Sequence, residues 1–203
     1  ALAFDIRGNK WPGAQAEFYT RLTGASPDGF PWNEAVIDAL NEWSLNTPFN
    51  FVVREQYRDP CAQDSLNSID FTVSVCGSSY GSGTIAVTLR SFGPAFLGPD
   101  DNTEADVVIN LSNEYEIYDG ELSPFLLGSR LNPIDLRRVL LHEFGHVIGL
   151  GHDDDGPAIM NTAIGDIDRL QQDDIDGVAT LYGGLSNCQV LPAFFGTSND
   201  ALQ

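Results

Sequence analysis

With 203 residues the chain can bury a sizeable core and suits one domain. Ten basic residues face twenty-nine acidic ones, a formal net charge of -19 that speaks against nucleic acid and anionic membrane surfaces as partners. No apolar run approaches the ~20 residues of a membrane-spanning helix. No signal-peptide pattern is present either, and a chain beginning at Ala1 reads as a mature form freed of targeting and pro-segments.

In chain order, residues 16–21 read as a first strand, and the Gly24 to Gly29 stretch around Pro27-Asp28 carries turn chemistry. A helix is expected over 32–46, because Val36, Ala39, Leu40 and Trp43 recur at three and four. Strands follow at 49–54 and 68–75, the second alternating through Ile69, Phe71, Val73 and Val75. After a Gly/Ser loop at 77–83, residues 84–92 alternate again, with Ile85, Val87 and Leu89 on one face. Residues 99–104 read as an acidic loop leading into a strand at 105–110, and 111–130 as a loop without periodicity. A second helix is expected with Asn132 as N-cap, Pro133 at its first position and Asp135 in its first turn. A last helix is expected over 171–182, and the tail 184–203 is apolar enough at 190–195 to pack back on the same domain. Cys61 and Cys76 flank a polar loop that their pairing would close; pairing of either with Cys188 stays open.

The residues that carry chemistry lie in one run, 142–153, which holds all three histidines of the chain. His142 and His146 stand four apart, on one helical face, as H-E-x-x-H. Gly149 lets the backbone leave the helix, and the turn brings His152 round as a third nitrogen ligand. Three protein ligands and an open fourth position are the arrangement of a catalytic zinc site, and Glu143 is placed to take a proton from water there. Asp153 is expected to be buried and to orient a ligand, with Asp154 and Asp155 in solvent.

The run resembles the zinc signature of the metzincin metallopeptidases. Pro157-Ala158-Ile159-Met160-Asn161 is similar to their Met-turn, in which a methionine lies beneath the histidines, and Met160 is the one methionine here. Residues 170–183 resemble the last helix of the matrixin subfamily, where an Asp-Asp pair, here Asp173-Asp174, ties that helix to the Met-turn and to the N-terminus. The resemblance implies an α+β, zincin-like catalytic domain over 1–183: a twisted, mixed five-stranded sheet, three main helices and a cleft along the edge strand. It implies a secreted, extracellular zinc endopeptidase, expected as a monomer, that binds a protein or peptide in extended form along Thr84, Ile85, Ala86 and Val87. Arg138 falls where matrixins have the floor of the pocket for the residue after the scissile bond, and a cation there would favour small or medium apolar side chains. Ala163 and Ile164 would form the wall of that pocket.

The chain departs from the matrixin pattern at several points. Vertebrate members hold a second, structural zinc with further histidines, which this chain lacks, so one catalytic zinc is expected, with calcium as the structural ion. Residues 100–106 and 153–155 are the candidate calcium loops. Thr162 replaces the usual proline, and Asp153 after the third histidine is more like the adamalysin pattern. The competing readings are an adamalysin-like metzincin and a catalytically silent zinc or calcium module that recognises protein or polysaccharide. An intact Glu143 speaks against the silent module.

Overall fold

A computed structural model describes residues 9–93, 101–121 and 133–183. The first strand, β1 (Gln15–Tyr19), leads through a turn to α1 (Trp32–Asn46), whose Val36, Ala39, Leu40 and Trp43 are fully buried, as their spacing requires. Strands β2 (Asn50–Arg54), β3 (Asn67–Thr72), β4 (Ala86–Gly93) and β5 (Asp101–Asn110) complete a five-stranded sheet of order β2-β1-β3-β5-β4. All pairings are parallel except β4 with β5, so the antiparallel strand β4 forms one edge. This is the mixed α+β sheet that the matrixin resemblance implies. Residues 99–104 are not all loop: the strand begins at Asp101, where Gly93 pairs with it and Asn102 N–H donates to the Lys10 carbonyl at 3.0 Å. Pro99 and Asp100 lie outside the described residues. Glu104 and Asp106 turn inward from this strand. Glu104 accepts from the N–H groups of Asp64 and Ser65, and Asp106 from the N–H and Oγ of Ser68.

The third strand is shorter than its alternation suggests. It ends at Thr72, Val73 is exposed, and Val75 closes a turn with Ser78, next to a Cys61–Cys76 disulfide. That bond ties the loop to the segment before β3 and takes precedence over further pairing. Within 111–121 the expected loop holds β6 (Tyr115–Glu116), which pairs in parallel with β7 (Ile134–Asp135).

That pairing sets where the histidine-bearing helix begins. Asp135 is extended and caps α2 (Leu136–Ile148), its carboxylate accepting from Arg137 N–H at 3.2 Å. Asp135 is therefore the N-cap and not a first-turn residue; Asn132, expected in that place, lies outside the described residues. Trp43 of α1 donates its indole N–H to the Leu141 carbonyl at 2.9 Å, and Phe144 meets Phe18 edge-on at 5.2 Å, so α2 is seated against both α1 and the sheet. Burying such aromatic pairs contributes about 0.5–1.5 kcal/mol each beyond their area. The last helix, α3 (Gln172–Tyr182), starts with a capping box in which Gln171 and Asp174 satisfy each other's backbone N–H. Its Tyr182 hydroxyl donates to the Ile148 carbonyl at 2.6 Å and accepts from Trp11 N–H, which pins the far end of α2. Among the described residues no helix is long and apolar enough to cross a membrane. The tail 184–203, with Cys188, lies outside them.

Candidate active site

His142 and His146 project from one face of α2, and His152 faces them from the turn that follows. The Nε2 atom of His152 lies 3.1 Å from that of His142 and 3.2 Å from that of His146. The Nδ1 atoms of His142 and His146 meet carbonyls, of Ile159 and Leu150, each at 2.8 Å. A carbonyl only accepts, so both Nδ1 atoms carry the proton, and a neutral ring then turns its lone pair outward at Nε2. Burial holds the His142 pKa down, which keeps that ring neutral. Three Nε2 atoms this close, two of them with their lone pairs turned outward, form a nitrogen donor set that fits a divalent metal of the zinc type.

The turn to His152 depends on Gly149, with φ +126°. A Cβ there would also lie 2.8 Å from the Asn9 carbonyl oxygen, so the site requires glycine twice over. Met160 is buried, and its sulfur lies directly against Gly145, the residue before His146, where a Cβ would collide with Sδ. Asp174, fully buried, accepts from the N–H groups of Ile159 at 3.0 Å and Met160 at 3.1 Å, besides that of Gln171. One route of support thus runs from α3 through Asp174 to the 159–160 backbone, and from the Ile159 carbonyl to the His142 ring. Residues 1–8, the N-terminus to which the resemblance implies that the Asp173-Asp174 pair also ties this helix, lie outside the described residues.

Asp153, expected to be buried, is half-buried, and among the described residues its carboxylate accepts from Asp155 N–H alone, in a local turn. The exposed Asp154 makes the longer connection instead, accepting from the N–H and Oγ1 of Thr162 at 2.8 and 2.9 Å; these bonds hold its pKa below the usual carboxylate value. The physical reason is reach: Asp153 N–H is already drawn to the Met160 carbonyl, and the following residue faces Thr162.

Glu143 lies between His142 and His146 in α2, only 6% exposed, and burial pushes its pKa up to about 7. Thr88 of the edge strand opposes that shift: its hydroxyl donates to Glu143 Oε2 at 2.5 Å and lies 3.2 Å from the Glu143 carbonyl oxygen. A cleft of about 660 Å³ runs between β4 and α2. Thr84, Ile85, Ala86 and Val87 line one side, Ala163 and Ile164 the other, and the three histidines and Glu143 its floor. A smaller cavity of 110 Å³ adjoins it, sharing His142, Asn161, Ala163 and Ile164, and Arg138 lines it. Arg138 is 2% exposed, so it does not point to solvent.

A sequence model of the family described as matrixin matches residues 28–183, which takes in α1, strands β2 to β5, both sides of the cleft and all three histidines. The chain belongs to the matrixin family. Among its relatives, Metalloendoproteinase 1 of Glycine max is 32% identical over 159 residues, 75% of this chain and 46% of that protein. Metalloendoproteinase 2-MMP of Arabidopsis thaliana is 30% identical over 153 residues, 73% of this chain and 36% of the relative. Interstitial collagenase of Bos taurus is 45% identical over 62 residues, 29% of this chain and 13% of the relative. This matrixin chain thus spans a third to a half of the length of the plant proteins it matches.

Thr88 escapes sequence reasoning altogether, since a threonine in an alternating strand carries no sign of a partner 55 positions away. Gly145 is equally silent, because a glycine inside a helix announces a close neighbour without naming it.

Proposed function

We propose that this matrixin is a secreted zinc-dependent endopeptidase in which His142, His146 and His152 hold the metal and Glu143 is the general base. The observation that carries the reading is three converging imidazole Nε2 atoms beside one buried carboxylate, at the floor of a cleft bordered by the edge strand of the sheet. Zinc, when bound, supplies a Lewis acid that polarises the scissile carbonyl and acidifies a water. The chain's own residues do the rest. Glu143, with a pKa raised toward neutrality, takes the proton of the attacking water at its carboxylate and gives it to the leaving amine nitrogen. Thr88 holds one oxygen of that carboxylate, leaving the other free to turn toward the histidines.

An extended peptide would add alongside Thr84 to Val87 at the outer edge of the sheet, where no described strand lies beyond β4. The side chain after the scissile bond would enter the cavity between Ala163, Ile164 and Arg138, whose small volume favours short or medium side chains. Gly149, Met160 and Asp174 keep the ligands in place. The disulfide supports an oxidising, extracellular setting. Calcium as a structural ion rests on the acidic surplus and on the family likeness.

The test is cleavage of casein and of an unbiased peptide library by the purified chain. Activity that disappears with 1,10-phenanthroline and returns with added zinc supports the proposal. Stoichiometric zinc with no cleavage of either substrate would replace it with a zinc-binding recognition module.

A further inference from the structure

The three tryptophans of the chain are not used alike. Trp11 and Trp43 are buried and donate their indole N–H groups to the carbonyls of Val147 and Leu141. Trp32, at the start of α1, is half-buried, and among the described residues no acceptor meets its indole N–H. Its ring heads an aromatic row, 6.1 Å from Phe71, which in turn lies 5.5 Å from Tyr115. Two cavities, of about 410 and 440 Å³, each have Trp32 and Tyr115 in their walls. The first also holds Asp70 and Leu111, the second Glu114 and Glu116, and neither has a lysine or arginine among its described lining residues. Leu111 is 54% exposed, and its N–H donates to the Thr72 carbonyl, next to Val73, which is 78% exposed. Aliphatic groups left in water beside an aromatic groove mark a surface that a partner covers.

We propose that the groove along Trp32, Phe71 and Tyr115 docks a basic segment of the protein substrate, outside the cleft. Lysine or arginine cations would be met by Asp70, Glu114 and Glu116 and by the aromatic faces, and a backbone carbonyl of the segment would take the Trp32 N–H. Charge decides the occupant. A neutral glycan leaves three carboxylates unbalanced, and an acidic partner is repelled by a chain of net charge -19. The groove also adjoins the cleft: the Tyr115 hydroxyl lies 3.2 Å from the carbonyl oxygen of Ile85, a residue that lines the cleft. A substrate long enough to fill both gains affinity, because the second contact forms at a high effective concentration. That the segment belongs to a substrate rests on the peptidase reading; the affinity for a basic segment does not.

The experiment uses the zinc-loaded full chain and hexa-D-lysine, which carries the charge and resists cleavage. Titration should change the fluorescence of Trp32, the one half-buried tryptophan, and Trp32→Phe should lose the signal. Glu114→Gln with Glu116→Gln should weaken binding roughly tenfold or more. Asp38→Asn with Asp176→Asn removes as much charge from exposed positions elsewhere and should weaken it by about twofold or less. A fluorogenic peptide carrying a lysine-rich tail on a flexible linker should show a KM about tenfold below that of the untailed peptide, at equal kcat. The variant without both glutamates should lose that difference. Equal losses of affinity in the two double variants would show a diffuse attraction of the whole surface and overturn the proposal. A fluorescence change with cellohexaose and none with hexa-D-lysine would overturn it as well. Failure to cleave either peptide, with hexa-D-lysine still bound at Trp32, would overturn the peptidase reading and leave the basic-segment groove supported.

Discussion

Replacing Thr88 with valine keeps the shape of the edge strand and removes one hydrogen-bond donor. In the wild type that donor lies 2.5 Å from a carboxylate oxygen whose pKa burial has raised to about 7. A hydrogen bond to a charged group contributes about 1.5–3 kcal/mol, which corresponds to about one to two pKa units. The bond favours the ionised form, so its loss must raise the pKa of Glu143 further. For a general base, activity then appears only at higher pH. The expected outcome for Thr88→Val is an acid limb of the kcat/KM profile displaced upward by about one to two units. Thr88→Ser, which keeps the hydroxyl, should restore it. The assay is hydrolysis of a fluorogenic peptide by zinc-loaded protein across the pH range, with zinc content measured beside it. An acid limb that superimposes on that of the wild type would refute the assignment of Thr88 as the residue that positions the base.

Two further predictions concern stability. Gly145→Ala should destabilise the fold by about 1–3 kcal/mol, because the new methyl group must displace the Met160 sulfur in a closed space; chemical denaturation reads this, and an unchanged midpoint would contradict the packing. Asp106 is pushed from 3.8 up to about 7 by burial, so the folded state holds its proton more tightly than the unfolded chain. Its contribution is full below about pH 4 and is lost as pH rises toward 7, up to about 4 kcal/mol. Asp106→Asn can still accept from Ser68 with its carbonyl oxygen, so the stability difference between variant and wild type should grow in favour of the variant from pH 4 to pH 7, and a pH-independent difference would refute the linkage.

What was legible in the sequence followed from short-range rules. The 3.6-residue period of Val36, Ala39, Leu40 and Trp43 located α1, and the spacing of His142, Glu143 and His146 placed three functional side chains on one helix before any coordinates. Element ends were harder, because they answer to partners elsewhere. The strand through Ile69 and Phe71 stops at Thr72 once the disulfide claims the chain at Cys76, and α2 starts at Leu136 because Asp135 is held in a pairing with Glu116. Asp153 and Asp154 are indistinguishable by type, and only the position of Thr162 decides which of them ties the turn down. Arg138 could be placed at a pocket but not assigned its neighbours, since Tyr118 and Gly120 reach it from a segment some 18 positions earlier.

The most direct test of the central claim is Glu143→Ala, measured for zinc content and for peptide cleavage in the same preparation. Glu143 is not among the three nitrogen donors, so the variant should bind zinc with wild-type stoichiometry. Its kcat/KM should nevertheless fall by about 10²–10⁴, the usual contribution of general acid–base catalysis. Zinc retained together with undiminished cleavage would show that another group moves the proton and would contradict the account.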